Sequence, residues 1–170
     1  YDEYSPNYDP NDLGFWPWTN YRSIQPVVNF TRYKPKAPFQ RWGLGFNGEY
    51  SRVIQPDHFF NLAAELNTFW ILRGFNAFGG SVRAEPVLTY DPFEARVPGR
   101  LYEFPTNIQY QAWISTNYNL PYAVDLNLSY RRFHERDRKT LWANLEQRFR
   151  PNDKLFFILS AYHEFKDEDV

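Results

Sequence analysis

Apolar and polar residues alternate along almost the whole chain. From Trp42 the large residues Trp42, Leu44, Phe46 and Tyr50 take every second position, with Gly48 between the last two. Gly43, Gly45, Asn47, Glu49 and Ser51 fill the gaps. Phe60, Leu62, Ala64, Leu66, Trp70 and Leu72 continue the rhythm against Asn61, Ala63, Glu65 and Asn67. A period of two over this length predicts strands with one apolar and one polar face, since successive side chains point to opposite sides.

Five more runs share the period. Val82, Ala84, Leu88 and Tyr90 form one, and Ile108, Tyr110, Ala112 and Ile114 another. Val124 to Tyr130, Leu141 to Phe149 and Leu155 to Ala161 complete the set. With an earlier run from Tyr21 to Tyr33, which Pro26 marks as an edge strand or a bulge, about eight strands are expected. Pro-, Asn- and Asp-rich stretches separate them, such as Lys34-Pro35-Lys36-Ala37-Pro38 and Pro151-Asn152-Asp153. The longest connection is expected from Asp91 to Arg100. Connections this short predict an antiparallel meander, because parallel strands need long crossovers. Residues 1–170 read as a single β-barrel region and as a piece of a longer chain.

The direction of the apolar face decides the architecture. A soluble barrel or sandwich turns it inward and would bind a small apolar ligand. A transmembrane β-barrel turns it toward lipid. Three features favour the membrane. The runs reach about 10 residues, the length of a tilted spanning strand, where an ordinary strand averages about 5–6. Trp16, Trp18, Trp42, Trp70, Tyr90 and Tyr130 lie near predicted turns, as interfacial aromatics do. Glu65, Arg83, Glu85, Asp125, Glu146 and Arg148 share the polar face, where a wet lumen would let them pair across strands. The expected fold is therefore all-β, an antiparallel up-and-down transmembrane β-barrel or part of a larger one.

Composition sharpens this reading. Aromatics make up 21% of the residues while the mean hydropathy is −0.66. A soluble core is built mainly of Leu, Ile and Val, so this pairing suits a sheet with one oily and one wet side. The net charge of −1 gives no basic patch for nucleic acid. Without cysteine there is neither a disulfide framework nor a thiolate metal site. His58, His134 and His163 lack metal-ligand spacing. No nucleophile elbow or phosphate loop is present, so neither an enzyme nor a cofactor is expected. Candidate lumen contacts for a ligand are Trp113, Gln109, Gln111, Trp142 and Glu146, which share the polar faces of two strands. Bulky side chains filling a narrow lumen explain the same residues.

One segment carries a family resemblance. Tyr8-Asp9-Pro10-Asn11-Asp12-Leu13-Gly14-Phe15 resembles a motif in the C-terminal domain of a family of large bacterial outer-membrane proteins of unknown function. Asn20-Tyr21, Phe39-Gln40-Arg41-Trp42 and Phe59-Phe60-Asn61-Leu62 extend the likeness. Asp91, Arg96, Gly99 and Pro105 resemble its Asp…Arg-Gly-Gly-Pro loop without the glycine pair. In that family an N-terminal module similar to family 9 carbohydrate-binding modules precedes a C-terminal β-barrel. The resemblance implies a membrane anchor or pore in the outer membrane of a Gram-negative bacterium, serving glycan capture or uptake. Lipid bilayer and lipopolysaccharide, other outer-membrane subunits and glycan are the implied partners. The same eight residues also read as a turn that launches a strand.

Overall fold

A computed structural model describes residues 1–5, 20–91, 100–135 and 138–167. The described residues hold twelve strands and no helix. They are β1 (Asp2–Tyr4), β2 (Tyr21–Ile24), β3 (Val27–Arg32), β4 (Phe39–Val53), β5 (His58–Leu72), β6 (Ala77–Glu85), β7 (Thr89–Asp91), β8 (Tyr102–Phe104), β9 (Asn107–Ser115), β10 (Tyr122–Phe133), β11 (Lys139–Asn152) and β12 (Leu155–Asp167). Ten of them form one antiparallel sheet in the order β1-β2-β4-β5-β6-β9-β10-β11-β12, with β3 also on β4. The small hairpin β7–β8 stands apart from it. The all-β antiparallel meander expected from alternation is what the chain forms. The sheet is open: among the described residues β12 pairs with β11 alone, and no closed barrel is made.

Two expected runs are redrawn by proline. Pro26 separates β2 from β3, and both pair with the long β4. The join is held because Gly48 N–H donates to Pro26 O at 2.8 Å, and a Cβ on Gly48 would stand 2.8 Å from Pro26 Cγ. The bare backbone lets the bent strand approach. Pro86 ends β6, so Leu88 and Tyr90 do not continue the run begun at Val82. Tyr90 lies on β7, outside the large sheet, which corrects its expected place at the end of a sheet strand.

Asn20 anchors the start of β2. It takes the left-handed conformation, φ 64°, which Asn tolerates better than most residues. Its amide Nδ2 donates to Gln55 O at 2.5 Å, and Gln55 N–H donates to its Oδ1 at 2.9 Å. Ile54 N–H also donates to Asn20 O at 3.0 Å. The side chain thus acts as an extra rung between β2 and the β4–β5 turn.

The strands are staggered in one direction. At one end of the sheet, Ser115 on β9 pairs with Asp125, leaving Tyr122 to Val124 of β10 beyond it. Tyr122 in turn pairs with Phe149, leaving Arg150 to Asn152 of β11 beyond that. At the other end, β4 and β5 run on to Val53↔His58, while β6 leaves β5 at Ala64↔Ala84. A cumulative shift of this kind is the register signature of strands tilted as in a barrel wall.

Register also sorts the side chains onto two faces. Phe46, Leu66, Val82, Tyr110, Tyr130 and Leu141 are successive partners on one of them. Asn47, Glu65, Arg83, Gln109 and Arg131 are successive partners on the other. Among the described residues no second layer covers the apolar face. Only Val53, Phe60, Ala63 and Ala123 are buried apolar residues among those described, while Leu66 is 64% and Leu159 67% exposed. The ten-stranded sheet of the described residues lacks the core of a sandwich.

Candidate functional site

The apolar face carries aromatics toward its two ends and aliphatics between. Near one end Trp42 stacks on Trp70, with centroids 5.1 Å apart and planes 12° from parallel. Phe30 adds to Trp42 at 5.4 Å, and Phe78 stacks on Trp70 at 6.4 Å. Further along the same staggered end, Phe149 stacks on Phe157 at 6.5 Å. Toward the opposite end Tyr50 meets Phe59 at 6.2 Å and Tyr110 stacks on Tyr130 at 6.5 Å. The stretch between holds Leu44, Leu66, Val82, Leu126 and Leu128. From Phe59 to Trp70 along β5 is about 37 Å at the ordinary strand rise. Tilted by 35–45°, that becomes about 26–30 Å, close to the apolar band of an outer-membrane barrel.

The polar face is bound together by charge. Arg83 on β6 spans β5 to reach Glu49 on β4 (Nη2–Oε2 3.3 Å), and also holds Glu85 (Nε–Oε1 3.1 Å). Arg131 on β10 spans β9 to reach Glu85 (Nη2–Oε2 3.1 Å). Asn107, buried on β9, sits between: its Nδ2 donates to Glu85 Oε2 at 2.8 Å, and Arg131 Nε donates to its Oδ1 at 2.8 Å. One network therefore links β4, β6, β9 and β10. Of the charges expected to pair on this face, Arg83, Glu85, Asp125, Glu146 and Arg148 do so, while Glu65 makes no ion pair among the described residues, and Glu49 and Arg131 join them.

A second cluster lies at the staggered end. Arg148 pairs with Glu146 at 2.7 Å and Asp125 at 3.4 Å, and its guanidinium lies 4.5 Å from the centre of the Tyr118 ring. Ser115 Oγ and Tyr118 Oη both donate to Asp125 Oδ1 at 2.5 Å. Tyr118 is in the β9–β10 turn. Burial raises its hydroxyl above the usual range, and the bond to Asp125 adds to the rise.

The hairpin β7–β8 folds onto this polar face. Thr89 Oγ1 donates to Asn61 Oδ1 at 3.1 Å. Phe104 meets Phe133 edge-on at 5.5 Å, and the Arg131 guanidinium lies 5.0 Å from the Phe104 ring centre and 4.9 Å from that of Phe133. The hairpin brackets the expected connection from Asp91 to Arg100: Thr89 and Tyr90 were expected to continue the run from Val82, and Tyr102–Phe104 follows the connection. Its strands are too short for alternation to register. Beneath it lies a recess of about 290 Å³ bounded by Tyr21, Ser23, Gln25, Glu49, Ser51, Phe60, Asn61, Arg83 and Glu85, with Thr89 and Asp91 from β7.

The expected ligand contacts are all on the polar face, but apart from this recess. Trp113 lies on the bare backbone of Gly79, where an added Cβ would stand 2.7 Å from its ring. Gln109 Nε2 donates to Ser129 Oγ at 3.0 Å, and Gln111 is the register partner of Ser81 and Ser129. Trp142 meets Tyr162 edge-on at 5.9 Å, and Glu146 is held by Arg148. These five are spread over β9 and β11 and do not converge on one cavity. Of the expected interface aromatics, Trp42, Trp70 and Tyr130 lie in the two aromatic zones. Trp16 and Trp18, with the motif at 8–15, lie outside the described residues.

Among the described residues no group of three or more His, Asp and Glu is placed to hold a metal. No helix is long and apolar enough to cross a membrane, which leaves strand crossing untouched. A family model described as a domain of unknown function, DUF5916, matches residues 1–170. No curated protein and no solved structure matches the chain.

Proposed function

We propose that this chain, which belongs to the DUF5916 domain family, forms part of the wall of an outer-membrane β-barrel and serves as an anchor or pore. The observation that carries the reading is the division of one sheet into two faces. The apolar face has an aliphatic middle with exposed Leu44, Leu66 and Leu128, bounded by stacked rings. In water such a continuous apolar surface would drive association. Against lipid it needs no cover, and Trp and Tyr at its borders sit at the headgroups. The opposite face supplies a wet wall of paired charges, as a lumen does.

Topology supports the same reading. Long staggered strands in an antiparallel meander are the elements of a tilted barrel, and backbone groups on an open edge cannot stay unpaired in lipid. Further strands would therefore complete the wall beside β12 and beside β3. The hairpin β7–β8, held by Arg131 and Phe104, would narrow the lumen from within. The turns 73–76 and 153–154 lie at one end, and the connection bearing the hairpin lies at the other, together with the turn 54–57. In outer-membrane barrels the short turns face the periplasm and the longer loops face outward.

Cell fractionation and gel migration test this. The protein is expected in the outer-membrane fraction, and its folded form should migrate differently before and after boiling. A monomer that stays in solution without detergent contradicts the reading.

A further inference from the structure

We infer that the recess beneath β7 is a binding site for a small neutral polyol, of the size of one monosaccharide or inositol ring. The first observation is Ser51. Its side chain lines the recess, it is only 1% exposed, and its Oγ has no hydrogen-bond partner in the described structure. A buried hydroxyl without a partner costs about 1–3 kcal/mol, so a group that satisfies it is expected. Ser23, 2% exposed, stands opposite it in register on β2.

The second observation is the chemistry of the walls. Hydroxyl and amide groups of Ser23, Ser51 and Asn61 both donate and accept. A ligand hydroxyl also does both, so a ring bearing several of them matches the set. Glu49, Glu85 and Asp91 outnumber Arg83, and this balance disfavours phosphate or carboxylate ligands. Glu49 and Glu85 already hold Arg83, which leaves less for a cationic ligand. Phe60, nine-tenths buried, adds an apolar wall for the C–H face of a ring. A volume of about 290 Å³ takes one ring.

The recess lies within β2, β4, β5, β6 and β7, so the proposal stands whether or not the sheet is in a membrane. The test uses the full chain, folded in detergent, and titrates it with myo-inositol, D-glucose and inorganic phosphate by saturation-transfer NMR. Inositol or glucose should saturate, and phosphate should not. Ser51→Ala and Asn61→Ala should each weaken polyol binding about tenfold, the loss of one hydrogen-bonding partner. The β-sheet circular dichroism should be unchanged in both. If Ser51→Ala alone fails to fold, Asn61→Ala and Thr89→Val carry the comparison. No saturable polyol signal overturns the proposal, since ordered water would then fill the recess. So does phosphate binding equal to polyol binding, or unchanged affinity in folded variants.

Discussion

The indole of Trp42 lies flat against that of Trp70 on the neighbouring strand, 5.1 Å away, and both rings stand at one end of an exposed apolar face. Rings at a headgroup boundary should be reached by quenchers at that depth. In a variant keeping Trp42 and replacing the other five tryptophans by Phe, lipids brominated near the headgroup should quench most. Strongest quenching by lipids brominated at mid-chain would place the ring too deep for this account. Trp70→Leu should also cost about 0.5–1.5 kcal/mol beyond lost contact area, through loss of the stack.

Arg131 ties the β7–β8 hairpin to the large sheet through Phe104 and Phe133. A double-mutant cycle with Arg131→Met and Phe104→Leu should give a coupling of about 0.5–2 kcal/mol. Phe104→Leu alone should loosen the hairpin and raise single-channel conductance in planar bilayers. Conductance unchanged in a folded Phe104→Leu variant would remove the hairpin from the permeation path.

Gly79 has no room for a side chain, because a Cβ would stand 2.4 Å from Thr68 O and 2.7 Å from the Trp113 ring. Gly79→Ala should cost about 1–3 kcal/mol as overpacking. Trp113→Leu in the same chain should rescue it only in part, since the carbonyl remains. Urea titration of folded and unfolded populations measures both.

The β4–β5 turn should respond to acid. Arg52 Nε donates to Asp57 Oδ1 at 3.0 Å, and this bond holds the Asp57 carboxyl below the usual carboxylate range. The folded value is depressed, so its stabilisation is complete above the unfolded value of about 3.9 and is lost as pH falls through the folded one. Asp57→Asn should flatten the difference in melting temperature between pH 6 and acid, within the range where carboxylates titrate. Asn20→Ala should loosen the same turn by about 1–2 kcal/mol at any pH, by removing two hydrogen bonds to Gln55.

The sheet was legible in the sequence because alternation needs no partner to be seen. Leu62, Ala64 and Leu66 declare a strand face whatever lies beside them. Pro26 was read as an edge or bulge within one strand, where it divides β2 from β3, and the run from Val82 was read through Pro86. The hairpin escaped because Thr89–Asp91 and Tyr102–Phe104 are too short to show a period. Charges on the polar face could be counted, but which strand each would reach depends on register, and Arg83 and Arg131 both skip a neighbour. Ser51 gave no signal, as a small polar residue on a polar face predicts nothing about burial. Its meaning comes from β2 and β7 meeting there.

In the proposed barrel wall the apolar face meets lipid and the polar face meets water. The chain has no cysteine, so single cysteines from Leu62 to Thr68 on β5 can carry an environment-sensitive fluorophore in vesicles. Blue-shifted emission is expected at Leu62, Ala64, Leu66 and Thr68, and water-like emission at Glu65 and Asn67. Leu66→Arg should accordingly cost about 2–4 kcal/mol as a charge at mid-bilayer, against at most about 0.5 for an exposed site in water. Water-like emission at the even positions, or no alternation at all, would contradict the account.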